Sequence, residues 1–226
     1  MIAHLRLYLN VSFPCRIFFL NAENFGESPD ELFIGVLNEE RRKLYDRTAD
    51  AQARREILYS HALVGYAYRR LSGALSDSLD ILQTANGKPY AGNVPGFCFS
   101  ISHSKGSIAV CVCDENVGVD IERIRPIGVG LAHRVFSAGE ADYFERSDDK
   151  IRAFLEVWTR KECIVKYEDS RLADIAIKDS FSRRWKRLIR STEHKGHIVT
   201  VCCGKQSDFP ITDIRINDLI DDLRGL

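Results

Sequence analysis

Several features that would assign a chain to a specialised class are missing from this sequence. Its 226 residues carry 32 basic and 32 acidic side chains, so no net charge remains at pH 7. A chain without net positive charge is not expected to be a dedicated nucleic-acid-binding protein. No apolar run is long enough to cross a membrane, and Arg6, Asn10 and Arg16 interrupt the apolar residues near the N-terminus. We therefore expect no nucleic-acid partner, no membrane association and no signal peptide.

Paired cysteine motifs are also missing. The seven cysteines are odd in number, and none of them forms a C-x-x-C pair. This usage is typical of reduced core thiols in a cytosolic protein rather than of a disulfide framework. With 45% hydrophobic residues, the chain can bury the core of one large domain or of two small ones. We predict a cytoplasmic protein.

Periodicity, caps and turn signals predict a mixture of helices and strands. Helices are expected at residues 39–47, 51–71 and 151–169, with a short helix near Leu131 and capping boxes at Ser28 and Ser137. Strands are expected at residues 5–9, 16–20, 97–102, 107–113, 117–122, 175–177, 185–189, 197–203 and 209–216.

The strand at residues 117–122 places two acids on one face. Its apolar and polar side chains alternate, so Asp120 and Glu122 point the same way, roughly 7 Å apart. A third acid, Glu162, lies on the apolar stripe of the helix at 151–169. If that helix packs on the strand, the three carboxylates converge, and such close like charges cannot all stay ionised in a dry site. A hard divalent cation such as Mg²⁺ would resolve the repulsion.

The spacing of these charges is equally compatible with an ordinary surface. Asp120 and Glu122 could form a solvated strand face, with Glu162 paired to Lys166 one helical turn away. Lys166 is informative in either case, because it shares a helix face with Glu162. A metal ligand and a cation presented together would suit a pyrophosphate that is bridged by metal on one side and by lysine on the other.

Other polar groups could contact an anion, although each taken alone is more typical of a solvated surface or a satisfied loop histidine. A serine hydrolase is disfavoured, because no Gly-x-Ser-x-Gly motif surrounds a serine. The anion-binding candidates are the segment Ser102-His103-Ser104, Lys88 in an Asn-Gly turn, and the basic residues Arg41, Arg42, Lys43, Arg54 and Arg55.

Taken together and in this order, these segments resemble the 4′-phosphopantetheinyl transferases, and more specifically the larger, monomeric surfactin-synthetase-type subfamily. The matching blocks begin near Arg41 and continue to the C-terminus. The resemblance is carried by Asn-Gly-Lys-Pro at residues 86–89, Phe-Ser-Ile-Ser-His-Ser at 99–104, Gly-Val-Asp-Ile-Glu at 118–122 and Trp-Thr-Arg-Lys-Glu-Cys-Ile-Val-Lys at 158–166.

The resemblance implies an α+β fold of two similar α+β halves related by a pseudo-two-fold, with coenzyme A bound in the cleft between them. In this chain the halves would be residues 1–114, on the basic coenzyme A side, and residues 115–226, which carry the metal-binding motifs. The implied metal ligands of Mg²⁺ are Asp120, Glu122 and Glu162, and the implied catalytic residues are Glu162, Lys166 and His103. The implied coenzyme A contacts are Arg41, Arg42, Lys43, Arg54, Arg55, Lys88, Ser102, His103 and Lys166.

The implied activity is transfer of 4′-phosphopantetheine from coenzyme A to a serine of an acyl or peptidyl carrier protein, leaving adenosine 3′,5′-bisphosphate. Carriers of fatty-acid, polyketide and nonribosomal peptide biosynthesis all present such a serine. The alternatives are a non-catalytic protein that keeps the fold and binds carriers or coenzyme A, and an unrelated Mg²⁺-dependent phosphohydrolase. The chain departs from the family at residues 169–172, where Asp-Ser-Arg-Leu replaces the usual Gly-x-Gly-Leu turn, and residues 175–197 are short by about one hairpin.

Overall fold

The fold is described from a computed structural model, which covers residues 15–21, 30–73, 79–205 and 208–225. The strand predicted at residues 5–9 and the capping box predicted at Ser28 lie outside the described residues. The strands are β1 (Arg16–Asn21), β2 (Ile81–Gln83), β3 (Pro89–Ala91), β4 (Cys98–Ser104), β5 (Ser107–Cys113), β6 (Val117–Arg123), β7 (Ile189–His194), β8 (His197–Cys203) and β9 (Ile211–Ile214). The α-helices are α1 (Asp30–Gly35), α2 (Glu39–Arg47), α3 (Ala51–Ser72), α4 (Ala132–Val135), α5 (Ala138–Arg146), α6 (Lys150–Glu168), α7 (Arg183–Leu188) and α8 (Ile216–Arg224), and a 3-10 helix covers Leu172–Ile177.

The first main sheet has the order β4-β5-β1-β9 and is covered by the long helix α3. Strands β4, β5 and β1 are antiparallel neighbours, and β9 adds to β1 in parallel. Helix α3 begins after Asp50, whose side chain accepts a hydrogen bond from the N–H of Ala53, and ends at Gly73 with a φ of 70°. Cap and left-handed glycine together confirm the helix predicted at residues 51–71.

The second main sheet has the order β6-β8-β7, and helix α6 packs on it. The approach of α6 to β6 is close at Gly118. A Cβ atom at this position would lie 2.4 Å from the carbonyl oxygen of Cys163 and 2.8 Å from the backbone nitrogen of Tyr167. Because only glycine leaves that space open, the helix can pack directly on the face that carries the acids.

The two sheets pack face to face, so the layers run from α3 through both sheets to α6. The apolar side chains of β6 and β8 form one buried cluster with those of β1 and β5. Each main sheet contains an antiparallel hairpin with a Lys-Gly turn, at Lys105-Gly106 in the first and Lys195-Gly196 in the second, and all four residues have positive φ. The α+β class is therefore confirmed.

The C-terminal segment returns to the first sheet. Strand β9 pairs with β1, and Leu219 and Leu223 of α8 are buried in the core beneath α3. The Nε atom of Arg69 on α3 donates a hydrogen bond to Asp222 Oδ2 at 2.9 Å. The division of the chain at residue 114 stays a prediction, and the last 18 described residues, 208–225, include elements that pack on the first sheet.

Two strand predictions for the last third of the chain are wrong in type, and a third is right in type but too long. Residues 175–177 lie in the 3-10 helix, residues 185–188 lie in α7, and only Ile211–Ile214 of the strand predicted at 209–216 is extended. Short apolar runs cannot be assigned by periodicity alone, and tertiary packing decides them, as at the buried Trp185 of α7. The strand predicted at residues 97–102 also ends later than expected, because β4 continues to Ser104 and the turn follows it.

No helix in the described ranges is both long enough and apolar enough to span a membrane.

Candidate active site

The candidate active site lies where β4, β6 and α6 meet, with the ammonium group of Lys166 at its centre. The Nζ atom of Lys166 is 2.7 Å from Asp120 Oδ1, 3.0 Å from Ser102 Oγ and 3.9 Å from Glu162 Oε2. Burial alone would lower the pKa of Lys166, but the charges of Asp120 and Glu162 outweigh it and raise the pKa. The structure therefore packs the acidic strand and the acidic helix together, an arrangement that the spacing of the charges alone left open.

Asp120 is buried and incompletely satisfied. Its Oδ1 atom accepts hydrogen bonds from Ser102 Oγ at 2.7 Å and from Lys166. Its Oδ2 atom is buried and has no hydrogen-bond partner among the described residues. Buried polar atoms without a partner are uncommon, and one that belongs to a carboxylate is a candidate ligand for a cation.

The pKa values of the other two acids are raised. Burial, followed by the charge of Asp120, raises the pKa of Glu162 to about 7, although Lys166 opposes the shift. Burial and the charge of Asp120 also raise the pKa of Glu122, against the hydrogen bond that Ser104 Oγ donates to Glu122 Oε2 at 2.8 Å. These upward shifts mean that one lysine does not neutralise the site.

The residues fit a hard divalent cation, because the donors are carboxylate oxygens and Asp120 Oδ2 is unpartnered. The three acids are not gathered tightly, however. Among the described residues, the group of three or more metal-ligating side chains with all ligand atoms within 4.8 Å consists of cysteines elsewhere in the fold. The assignment of Asp120, Glu122 and Glu162 as metal ligands remains a prediction.

Three serines of β4 connect this site to the backbone of β6. The two strands are neighbours but belong to different sheets. Backbone N–H groups of β6 therefore donate hydrogen bonds to serine hydroxyl groups of β4, where in a continuous sheet they would donate to backbone carbonyl groups. Ser102 and Ser104 belong to the predicted anion-binding segment, whereas Ser100 was not predicted, although serine at every second position of a strand was the available signal. The hydrogen bonds run from the N–H of Val119 to Ser100 (3.0 Å), from Ile121 to Ser102 (3.2 Å) and from Arg123 to Ser104 (3.2 Å).

His103 lies on the opposite face of β4 from these serines. Its Nδ1 atom is 3.1 Å from Glu56 Oε2 on α3, and 55% of its side chain is exposed. The structure therefore places the imidazole beside a carboxylate of α3, apart from the cluster around Lys166. Its predicted catalytic role and phosphate contact are not tested by this arrangement and stay predictions.

The predicted basic residues divide into two groups. Arg41 and Lys43 line a cavity of about 220 Å³ together with Arg47, which the predicted site did not include. Arg41 is buried, which lowers its pKa, and its guanidinium group donates to Ser60 Oγ at 3.2 Å. The other three are outside that lining: Arg42 pairs with Asp46 at 3.1 Å, Arg54 donates to the carbonyl of Thr48 at 2.5 Å, and Arg55 is exposed.

Lys88 links three segments of the chain. Its Nζ atom donates to Asn116 Oδ1 at 2.6 Å, to the carbonyl of Val117 at 3.2 Å and to that of Tyr167 at 3.4 Å. Burial lowers the pKa of Lys88. These contacts join the β2-β3 turn to the start of β6 and to the end of α6, while the predicted contact with a nucleotide stays a prediction.

The turn after α6 begins with a residue that has a left-handed backbone conformation but is not glycine. Asp169 ends the helix with a φ of 50°, a conformation that aspartate tolerates better than most residues. Its Oδ1 atom accepts a hydrogen bond from Thr84 Oγ1 at 2.9 Å, and its carbonyl accepts one from Asn86 Nδ2 at 2.6 Å. The missing glycine at residue 169 is therefore compensated by contacts to the β2-β3 turn.

Fold and site together define an α+β protein that presents carboxylates and a lysine at the seam between two packed sheets. The family model described as the 4′-phosphopantetheinyl transferase superfamily matches residues 116–212. Over that segment the chain is similar to this superfamily. Asp120, Glu122, Glu162 and Lys166 all lie within the matched segment.

Individual relatives extend the similarity. The chain is 32% identical over 114 residues to 4′-phosphopantetheinyl transferase psf-1 of Bacillus pumilus, covering 50% of this chain and 49% of the relative. It is 40% identical over 115 residues to 4′-phosphopantetheinyl transferase AcpT of Salmonella typhimurium, covering 49% and 60%. It is 29% identical over 162 residues to 4′-phosphopantetheinyl transferase Sfp of Bacillus subtilis, covering 70% and 71%. The chain thus spans about half to three fifths of the first two relatives.

Proposed function

We propose that this protein transfers 4′-phosphopantetheine from coenzyme A to a serine hydroxyl of an apo acyl or peptidyl carrier protein. The observation that carries the proposal is the cluster of Lys166, Asp120 and Glu162, which lies inside the segment that matches the superfamily. We also propose that the protein is a cytoplasmic monomer of the surfactin-synthetase type.

The proposed reaction exchanges the phosphoanhydride bond of coenzyme A for a new phosphate ester bond to the serine. The serine oxygen of the carrier attacks the β-phosphate of coenzyme A, the pyrophosphate P–O bond breaks, and adenosine 3′,5′-bisphosphate leaves. Glu162 is the proposed acceptor of the serine proton, because its carboxylate lies in the cluster around Lys166. Lys166 places its positive charge where the transition state gains negative charge.

Asp120, Glu122 and Glu162 are the proposed ligands of Mg²⁺, which when bound would supply Lewis-acid stabilisation of the pyrophosphate. The cavity lined by Arg41 and Lys43 is the proposed site of the 3′-phosphate, because guanidinium and ammonium groups are the usual protein partners of a phosphate. Ser102, His103 and Lys88 keep their predicted roles as coenzyme A contacts, as do Arg42, Arg54 and Arg55.

The test is covalent modification of purified apo carriers. A panel of acyl and peptidyl carriers, incubated with coenzyme A and Mg²⁺, should include at least one that gains about 340 Da in intact-protein mass spectrometry, the mass of the group that coenzyme A donates. Glu162→Gln should abolish this gain, whereas Glu145→Gln, on the exposed surface of α5, should not. Binding of coenzyme A without modification of any carrier would instead favour a non-catalytic protein.

A further inference from the structure

Three buried cysteines meet at one end of the two packed sheets. The Sγ atoms of Cys15, Cys113 and Cys203 all lie within 4.8 Å of one another, and none of the three cysteines forms a disulfide. The side chains are nearly inaccessible, with exposed fractions of 2%, 0% and 4%. Cys15 directly precedes β1, Cys113 ends β5 and Cys203 ends β8, so the group draws on both sheets.

We propose that Cys15, Cys113 and Cys203 form a binding site for a thiophilic metal ion, with Zn²⁺ as the expected occupant. Thiolates are the protein ligands that select Zn²⁺ and Cu⁺ over harder cations. Four ligands arranged tetrahedrally at a Zn–S distance of about 2.3 Å stand about 3.8 Å apart. A group of sulfur atoms that already lies within 4.8 Å therefore needs only small adjustments to reach this geometry.

Glu115 supplies the fourth ligand in this proposal. Its Oε1 atom is 3.5 Å from the Sγ atom of Cys203 and accepts a hydrogen bond from the N–H of Lys205 at 2.5 Å. Gly204 makes room for the carboxylate, because a Cβ atom there would lie 2.8 Å from Glu115 Oε1. A carboxylate that is held in place by a backbone N–H has the outer-shell support that metal ligands usually show.

The proposed site is separate from the candidate active site. In the pairing of β6 with β8, Val117 lies opposite Cys203 while Asp120 lies opposite Thr200, so the two sites are three residues, roughly 10 Å, apart along the strands. Their chemistry also differs, since sulfur ligands favour Zn²⁺ and the carboxylates favour Mg²⁺. A metal ion at the cysteines would join β1, β5 and β8, and would thus fasten the two sheets to each other.

Metal titration of the purified full-length chain tests the proposal. After removal of metal by a chelator under reducing conditions, Cd²⁺ should produce a thiolate-to-metal charge-transfer absorption that saturates at one ion per chain. An excess of Zn²⁺ should compete with Cd²⁺ for the site and should protect cysteines from a thiol reagent in the native protein. Cys113→Ser should remove the saturable absorption. Cys202→Ser is the matched control, because Cys202 is equally buried on β8 but packs in a different cluster.

A second variant keeps the test decisive if Cys113→Ser does not fold. Glu115→Gln changes a partly exposed side chain, retains all three sulfur ligands and should weaken Zn²⁺ binding about tenfold. The proposal is overturned if the wild-type protein gives no saturable absorption, or if Cys113→Ser binds Cd²⁺ as Cys202→Ser does. Unchanged Zn²⁺ affinity in Glu115→Gln would remove Glu115 from the ligand set. None of these outcomes depends on transfer activity.

Discussion

Replacing Glu162 by glutamine should stabilise the protein in alkaline solution and should change its stability little in acid. The carboxyl pKa rises from 4.5 to about 7 in the folded protein, mainly through burial and then through the charge of Asp120. The folded state therefore holds a proton that the unfolded state releases. This contribution to stability is complete below pH 4.5 and is lost as pH rises to about 7.

The expected magnitude follows from the size of this shift. At about 1.4 kcal/mol for each pKa unit, the loss between acid and neutral pH is roughly 3 kcal/mol, and partial solvent screening reduces it to about 2–3 kcal/mol. For a chain of this size, each kcal/mol corresponds to about 2–4 °C in melting temperature. Glu162→Gln should thus melt about 4–12 °C above wild type near pH 8, with the difference vanishing below about pH 4.

Thermal unfolding measured by circular dichroism across this pH range is the assay. Mg²⁺ added near pH 8 should raise the melting temperature of wild type more than that of Glu162→Gln, because a cation compensates the same buried charge. Glu145→Gln serves as the control and should follow wild type at every pH, since the Glu145 side chain is 58% exposed. A difference between Glu162→Gln and wild type that stays constant with pH would refute the reasoning.

Three further substitutions probe the structure around the site. Gly118→Ala should cost about 1–3 kcal/mol in urea unfolding, because its methyl group would lie 2.4 Å from a backbone oxygen of α6; wild-type stability would argue against the close packing. Lys161→Met should cost about 3–5 kcal/mol by leaving the buried carboxylate of Glu140, 2.9 Å from Lys161 Nζ, unpaired, and adding Glu140→Gln should recover part of the loss. If His103 contacts coenzyme A, Glu56→Gln should lower the KM for coenzyme A by up to about fivefold with kcat unchanged, since Glu56 then no longer competes for the imidazole; an unchanged KM would count against that contact.

Elements with strong local signals were predicted well from the sequence. The strand predicted at residues 107–113 matches β5, and that at 197–203 matches β8. The long helices were also predictable, because Asp50 and Gly73 mark the ends of α3 by cap chemistry that acts within a few residues. For these helices, apolar residues at helical spacing together with a capping residue were sufficient for the prediction.

Elements that depend on distant contacts were predicted poorly. Trp185 is buried against Tyr167 of α6, at a ring-centroid distance of 6.0 Å, and this contact favours the helix α7 where a strand was expected. Helix α8 was missed although its apolar residues recur at helical spacing: the strand predicted at 209–216 ended on its first residue, Ile216, and no helix was predicted after it. The sequence also does not reveal that Lys161 and Glu140 form a buried ion pair, since the two residues are on different helices.

In the candidate site, too, features set within one element could be predicted from the sequence, and distances between elements could not. The shared face of Asp120 and Glu122, and that of Glu162 and Lys166, follow from the periods of a strand and a helix. The distances between the two pairs do not, because they depend on how closely α6 approaches β6 at Gly118. The basic cavity is a similar case: Arg47 completes it from a position that charge pattern alone does not distinguish from Arg42.

The hydroxyl groups of Ser102 and Ser104 on β4 explain how the carboxylates of β6 are held in place. Ser102 Oγ accepts hydrogen bonds from the N–H of Ile121 and from Lys166, and donates its one proton to Asp120 Oδ1, so its hydrogen-bonding capacity is used completely. Ser104 repeats the arrangement, accepting from the backbone of β6 and donating to Glu122. A regular backbone ladder between β4 and β6 would satisfy the same N–H groups but would leave no hydroxyl donors for the acids. Because the two sheets meet through side chains at this point, the backbone of β6 and both of its predicted metal ligands are oriented by the same two hydroxyl groups.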